Sequence, residues 1–377
     1  MSARRLRAIF VKEFHHIVRD SRSLGMALAV PVMMLLLYGY ALSLDVDRVS
    51  TMIYDQVGTQ ASRDLIDQFR GSRYFEIDGI ARSYADIERA IDRNKVLMAV
   101  VIPRDYSQLL RSGHDTPVQL ILDGSDSNTA SIVLGYAETV VRTYSFQVRS
   151  GMQNRRGGQR PVLPVDARLR VWYNNSLESK NYVVPGLIAV ILQIIGAMLT
   201  SLTIAREWEM GTMEQLLSTP MRPTEMILGK MLAYFALGLA DSVLAVFVGL
   251  AVFGVPFRGN VWFLALTLCI FLVGILFWGL FVSAAARSQL QAYQLGMLSS
   301  FLPAFLLSGF IYSIENMPAV IQVISYIVPA RYITTILKGI FLKGVGIEVL
   351  WGELGFLILY ATVVFLLASR KVNQKLA

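Results

Sequence analysis

The sequence predicts an α-helical polytopic membrane protein: six transmembrane helices, with a large extracytoplasmic α+β domain inserted between the first and the second. Three observations predict it. Hydrophobic residues make up 54% of the 377 positions and charged residues only 16%, against about 25% charged for a typical soluble chain. Six apolar stretches reach the ~20 residues needed to cross a hydrocarbon layer. Charge is concentrated in one block, with 35 charged side chains in the 136 residues 45–180 and only 19 in the 197 residues 181–377. A chain this apolar cannot cover its surface with polar groups, which excludes a soluble enzyme and a disordered chain. The single cysteine, Cys269, excludes an intrachain disulfide framework and any Cys-rich metal site.

Taken in order, the spans are Ser23 to Leu44, Tyr182 to Ala205, Met231 to Val255, Val261 to Ala286, Leu290 to Ile314 and Val349 to Ala368. Between the fifth and the sixth, Met317 to Ala330 is apolar but too short to cross, so it reads as a re-entrant or interfacial piece. The first apolar run is longer than a signal peptide's 7–15-residue core, so it reads as an uncleaved anchor. With the N-terminus in the cytoplasm, the inner flanks carry 13 Lys/Arg and the short outer flanks four: Arg258, Arg331, Lys338 and Lys343. That asymmetry favours cytoplasmic N- and C-termini in a bacterial inner membrane, and places the insert outside. Half of the net charge of +8 lies in residues 1–44 and only +1 in residues 45–180, which argues against nucleic acid as a partner.

The chain thus divides into three parts. Residues 1–44 hold the cytoplasmic N-terminal amphipathic segment and the first span. Residues 45–180 form the extracytoplasmic domain. Residues 181–377 form the other five spans, with a cytoplasmic loop at 206–226 and a re-entrant segment at 315–347. In the insert, Thr51 to Tyr54, Val96 to Ile102, Val118 to Leu122 and Leu169 to Tyr173 read as strands. Thr59 to Phe69, Ser83 to Arg93 and Ser131 to Val148 read as helices, the second opened by a near capping box, Ser83 with Asp86. Gly151 to Pro164 reads as a loop. Asp123-Gly-Ser-Asp126 reads as a turn and helix cap before it reads as a metal or phosphate site.

Nucleotide and metal chemistry have no carrier. Gly229-Lys230 lacks the upstream glycine of a P-loop, and His15, His16 and His114 cannot build a conventional zinc triad. No cofactor is expected on this chain.

The most informative stretch is the loop after the second span, from Ala205 to Glu225. At helical spacing Trp208, Met213, Leu216 and Leu217 lie towards one side, with Glu207, Glu214 and Gln215 on the other. Thr219-Pro220 stops the helix and Arg222-Pro223 holds the chain extended. A lipid-bound interfacial helix would carry Lys/Arg on its polar face, so an acidic face suits a protein partner better.

This stretch resembles the loop of ABC-2 type transporter permeases, in particular a long-loop subgroup associated with multidrug export. The matching residues are Arg206, Glu207, Glu209, Gly211, Thr212, Glu214, Leu216, Thr219 and Pro220, followed by Gly229-Lys230. Leu307-Ser-Gly-Phe310, Met317-Pro318 and Pro329 extend the likeness. The resemblance implies a permease subunit of an ABC-type exporter, moving hydrophobic small molecules such as drugs out of the cytoplasm or inner leaflet. ATP is then hydrolysed by a separate ABC ATPase subunit whose cleft receives the loop helix. A second permease subunit, identical or a paralogue, completes the path, and a periplasmic adaptor and membrane lipid are further partners. Leu6 to Val18 resembles the family's membrane-surface connecting helix. Export of a lipid or polysaccharide, and a membrane-anchored receptor or secretion scaffold, are the alternative readings.

One acid, Asp241, lies well inside a span, where it costs about 2.5–3.5 kcal/mol on insertion scales, so it should face protein or a water path. It reads either as a substrate contact or as a hydrogen-bond partner for a neighbouring helix. Gln193, Tyr234 and Gln294 could line the same interior, or serve as interhelical contacts. Trp262 and Trp351, near span ends, read as interfacial anchors.

Overall fold

The computed structural model describes residues 3–41, 46–112, 114, 116–155, 172–174, 178–217 and 223–376. The chain forms two compact units, one combining Met1–Ser43 with Arg170–Ala377, the other Leu44–Leu169.

The first unit opens with α1 (Ala3–Arg19) and α2 (Ser21–Ala41). Helix α1 is amphipathic and buries Ile9 and Glu13. Helix α2 exposes Met26, Met33, Leu37 and Tyr40, an outward surface suited to hydrocarbon rather than water.

The second unit runs β1 (Val49–Asp55), α3 (Gln60–Gly71), β2 (Phe75–Ile80), α4 (Tyr84–Asp92), β3 (Met98–Ile102), α5 (Tyr106–Ser112), β4 (Gln119–Leu122) and α6 (Ser127–Arg155). Its sheet has the order β2-β1-β3-β4, parallel except for β4. Strand β3 is buried at every residue, and alternation explains how. Met98, Val100 and Ile102 join a cluster with Leu65 and Phe69 of α3 and Val133 and Ala137 of α6. Ala99 and Val101 join Ile87 of α4 on the other face. Two of the three predicted helix starts are capped, Thr59 accepting from the Ser62 amide and Ser83 from that of Asp86, while the third helix, expected from Ser131, starts earlier at Ser127.

The structure corrects the reading of this unit at several points. Strand β2 and helix α5 were not expected, because Phe75-Glu-Ile-Asp-Gly is broken by charge and glycine and α5 is only seven residues long. Helix α6 runs on through Gly151–Arg155, which read as loop. Trp172 and Tyr173 are not strand, and Tyr173 has φ of +73°. The rest of the expected loop and strand lies outside the described residues. Asp123 accepts from the Ser125 amide at 2.9 Å, and the Asp126 carbonyl receives the Ala130 amide, so this segment is a turn and helix cap.

The first unit resumes with α7 (Ser179–Ser201), α8 (Thr203–Glu209), α9 (Thr212–Leu217), α10 (Pro223–Ala251), α11 (Val261–Ala285), α12 (Gln289–Leu307), α13 (Ala319–Ser325), α14 (Pro329–Lys338) and α15 (Ile347–Leu376). Among the described residues, six helices are long and apolar enough to cross a membrane: α2, α7 (continued by α8), α10, α11, α12 and α15. Each falls on one of the six predicted spans. Helices α13 and α14 meet at 83°, and α14 runs on to Lys343.

Helix α7 is the axis, buried at every residue from Val183 to Ala197. It contacts α2, α10, α11, α12 and α14. Small residues set the closest approach. A Cβ on Gly279 of α11 would stand 2.3 Å from the Ala197 carbonyl oxygen. Beside it, Thr200 donates to the Leu276 carbonyl at 2.8 Å.

Candidate functional site

The loop helix expected from Glu207 to Leu217 is broken in two. Helix α8 continues the α7 span past a bend at Leu202, ends at Glu209, and α9 starts at Thr212. Gly211 makes the break with φ of +70°, a conformation that a side chain would strain. The bend at Leu202 turns the Ile204 and Ala205 amides towards α11, and both donate to Ser283 Oγ at 3.0 Å. Both ends of α8 are therefore fixed, one by a neighbouring helix and the other by a glycine turn.

Beside α8, helix α1 crosses α10 at close range. Gly229 permits this: a Cβ there would lie 2.7 Å from Ile9 Cβ. One residue on, Lys230 is 2% exposed. Its ammonium donates to Glu13 Oε1 at 2.8 Å and to Glu207 Oε1 at 2.7 Å. Lys12 lies 3.7 Å from Glu13 and 4.0 Å from Glu207, completing two cations against two carboxylates. Nearer the start of α1, Arg5 stands 3.6 Å from the buried Glu225. Ile9, Ile204, Met213, Ile227 and Leu280 form the apolar floor.

Burial pushes the Glu13 carboxyl up, but the Lys230 ammonium, its hydrogen bond, and the charges of Lys12 and His16 outweigh that and hold it below its ordinary 4.5. The sign follows from the direction: stabilisation from this ionised carboxylate is fully present above about pH 4.5 and is lost as pH falls through the depressed folded value.

The predicted loop residues separate into two groups. Glu207 does not point outward with Glu214, as its spacing suggested. The break at Gly211 decouples the two helices, so Glu207 turns in to Lys230. Glu209 also has an internal partner, accepting the Gln289 amide at the start of α12 at 2.8 Å. Thr212 Oγ1 donates to the Glu207 carbonyl at 3.3 Å, and Met213 is buried. Arg206, Gly211 and Glu214 are exposed. Leu216 lies in α9, its side chain outside the description, and Thr219 and Pro220 lie outside the described residues. A cavity of about 650 Å³ adjoins the loop, lined by Trp208, Glu209, Ala286, Arg287 and Lys371 among others.

The intramembrane candidates do not line one interior within the single chain. Asp241 is 1% exposed, and neither carboxylate oxygen has a hydrogen-bond partner among the described residues. The neighbouring-helix bond considered for it is therefore not formed. Gln193 is buried and donates to the Ser300 carbonyl at 3.4 Å. Tyr234 packs with the apolar floor beneath α8. Gln294 is exposed, because α12 faces inward with Ala292, Gly296, Ser300 and Ala304. Trp262 and Trp351 are largely exposed near helix ends, as interfacial anchors would be.

The sequence reading missed Glu13, Ser283 and the role of Lys230. Glu13 was visible as the one acid in a strongly basic helix. Ser283 carries no signal in an apolar span.

Among the described residues, six apolar helices, one of them the buried axis α7, with a broken loop helix tied into their ends, make up the membrane part of a polytopic membrane protein. The chain belongs to the ABC-2 family of transporter proteins, whose family model matches residues 22–370. Among relatives, it is 37% identical to the probable multidrug ABC transporter permease YbhS of Escherichia coli K12, over 98% of this chain and 94% of that one. It is 31% identical to the probable multidrug ABC transporter permease YbhR of the same organism, over 93% of each. It is 25% identical to that organism's inner membrane transport permease YhhJ, over 80% of this chain and 79% of that one.

Proposed function

We propose that this chain is the membrane-spanning permease subunit of an ABC exporter that moves hydrophobic small molecules, drugs among them, out of the cytoplasm or the inner leaflet. A separate ATPase subunit supplies the energy, and two permease subunits form the path. The chain sits in the bacterial inner membrane with both termini and the loop 206–226 in the cytoplasm, and the Leu44–Leu169 unit outside. The drug assignment is supported by the names of the relatives at 37% and 31% identity.

The observation that carries the reading is the division of the loop's charges. Glu207 is consumed internally and the exposed Glu209 is tied to the start of α12, while Arg206 and Glu214 stay exposed on either side of a glycine break. An exposed carboxylate next to the buried Met213 of α9 is suited to an Arg or Lys of a docked subunit. A charge-assisted hydrogen bond at such an interface contributes about 1.5–3 kcal/mol, so its loss weakens docking tenfold or more.

Glu214→Lys tests this. The variant should insert and accumulate normally, because Glu214 has no role in the apolar floor. It should co-purify poorly with the ATPase subunit and lose drug export. Full association together with full export would remove this loop from the coupling step.

A further inference from the structure

Lys230 is an expensive residue for its position. Removing an ammonium and two carboxylates from water costs several kcal/mol per ion before attraction repays it, and well-packed apolar residues often serve stability as well or better. Its geometry joins three segments at one atom. Glu13 comes from α1, Glu207 from α8, and Lys230 itself from α10, all within 2.8 Å of the ammonium. Gly229 brings α1 into contact with the same turn of α10.

This arrangement makes independent motion of α8 costly. If α8 rotated away alone, Lys230 would stay buried with one carboxylate instead of two, and Glu207 would lose its strongest partner. If α1 lifted away, the ammonium would lose its other partner, and Ile9 would leave the apolar floor. Displacing α8 as a rigid piece, with α1 and α10 following, keeps every bond intact. Glu209 on the Gln289 amide extends the same link to the start of α12.

We propose that Lys230 is a positioning residue of the coupling step: by bonding Glu13 and Glu207 together it makes α1 move with α8 and α10, so that docking forces on the loop reach the membrane helices through α1 as well. This rests on the permease reading above and adds to it. On that reading alone α1 could be a passive anchor at the membrane surface. Here it is part of the moving unit, and Glu13 is its buried bond to the Lys230 ammonium.

Glu13→Leu is the informative variant, because it removes the Glu13 bond between α1 and Lys230, leaves Lys230 paired with Glu207, and keeps the Ile9, Arg5 and Lys12 contacts that hold α1 in place. In a reconstituted complex of permease and ATPase subunits, the variant should associate normally and hydrolyse ATP within about twofold of wild type. Transport per ATP should fall at least tenfold. Glu13→Gln keeps an acceptor for the ammonium and should recover at least half of the wild-type ratio. A merely structural bond would lower abundance and melting temperature but leave transport per ATP unchanged, and that result overturns the proposal. Unchanged transport per ATP in a fully stable variant overturns it equally. If Glu13→Leu does not accumulate, hydrogen exchange on the wild-type complex decides. Amides of α1 and α8 should change protection together between nucleotide-free and ATP-bound states, and a change in α8 with none in α1 overturns the proposal. If the wild-type permease neither binds the ATPase nor transports, the permease reading fails and this inference falls with it. If wild type transports and only the Glu13 results differ from expectation, the permease reading stands.

Discussion

Asp241 and Lys230 show two ways of holding a charge inside an apolar helix. Lys230 has two carboxylates at hydrogen-bond distance, whereas both oxygens of Asp241 are buried without a partner among the described residues. An uncompensated acid at mid-membrane carries a cost of about 2.5–3.5 kcal/mol on insertion scales. Retaining it makes sense if the carboxylate meets a cation or a polar substrate during the transport cycle. Asp241→Asn keeps the shape and removes the charge. The expected result is an equal or higher melting temperature in detergent and reduced export of cationic substrates, with neutral substrates less affected. Undiminished export of both classes, measured in cells with matched protein levels, would leave Asp241 without a role in the path. The same logic separates the loop acids. Glu207, Glu209 and Glu214 are chemically alike, and only their neighbours tell internal ties from a docking contact.

Helices α4 and α8 mark how far elements could be read from the sequence. Each membrane span was legible because length and apolarity alone define it, and α4 was legible because Ser83 and Asp86 announce its start. Ser83 accepts from the Asp86 amide, and the Asp86 carboxylate accepts from the Ser83 and Arg82 amides at 3.0 Å. The Arg82 amide first, then the Ser83 side chain, hold that carboxyl below its usual range, so the cap is intact above about pH 4 and is lost as pH falls further. Replacing an N-cap serine by alanine costs about 1 kcal/mol. In residues 47–178 produced alone, Ser83→Ala should therefore lower the melting temperature by roughly 4 °C, followed by circular dichroism. No shift would mean that the α4 start is held by Ile87 burial and not by its cap. The loop helix was less legible. Its apolar and acidic positions fit one continuous helix, and Gly211 at an ordinary helical position gave no sign that it would adopt a positive φ. The inward turn of Glu207 depends on Lys230, 23 residues on, which is itself bonded to Glu13, 217 residues from it in sequence, and periodicity within one segment cannot encode such a meeting. Gln294 failed for a similar reason: which face of α12 looks inward is set by the small residues that meet α7, not by the amide itself.

The membrane unit treats charge differently at its two ends, and this bears on orientation. At one end lie the ion cluster of Lys230 and the exposed Arg206, Arg287 and Lys371, near the loop. At the other, cations are held by rings and carbonyls. Lys338 stands 3.3 Å from the Tyr182 ring centroid and donates to the Gly309 carbonyl, and Arg331 stacks 4.0 Å from the Tyr326 ring. Thirteen basic residues stand on the proposed inner flanks and four on the outer, the bias that sets the orientation of membrane spans. Cysteines introduced into a Cys269→Ser background test the assignment. Met210 is well exposed at the loop break, Tyr312 is well exposed between α12 and α13, and Ser125 is exposed in the turn before α6. With a membrane-impermeant maleimide, Tyr312→Cys and Ser125→Cys should label in sealed right-side-out vesicles, and Met210→Cys only in inverted ones. The Tyr312 and Ser125 positions belong to different units, so their agreement checks the insert independently of the spans. Labelling of Met210→Cys from the outside would reverse the orientation and put the loop out of reach of a cytoplasmic ATPase. Labelling of Ser125→Cys only from the inside, with Tyr312→Cys outside, would instead place the Leu44–Leu169 unit in the cytoplasm and require one crossing fewer or more between α2 and α7.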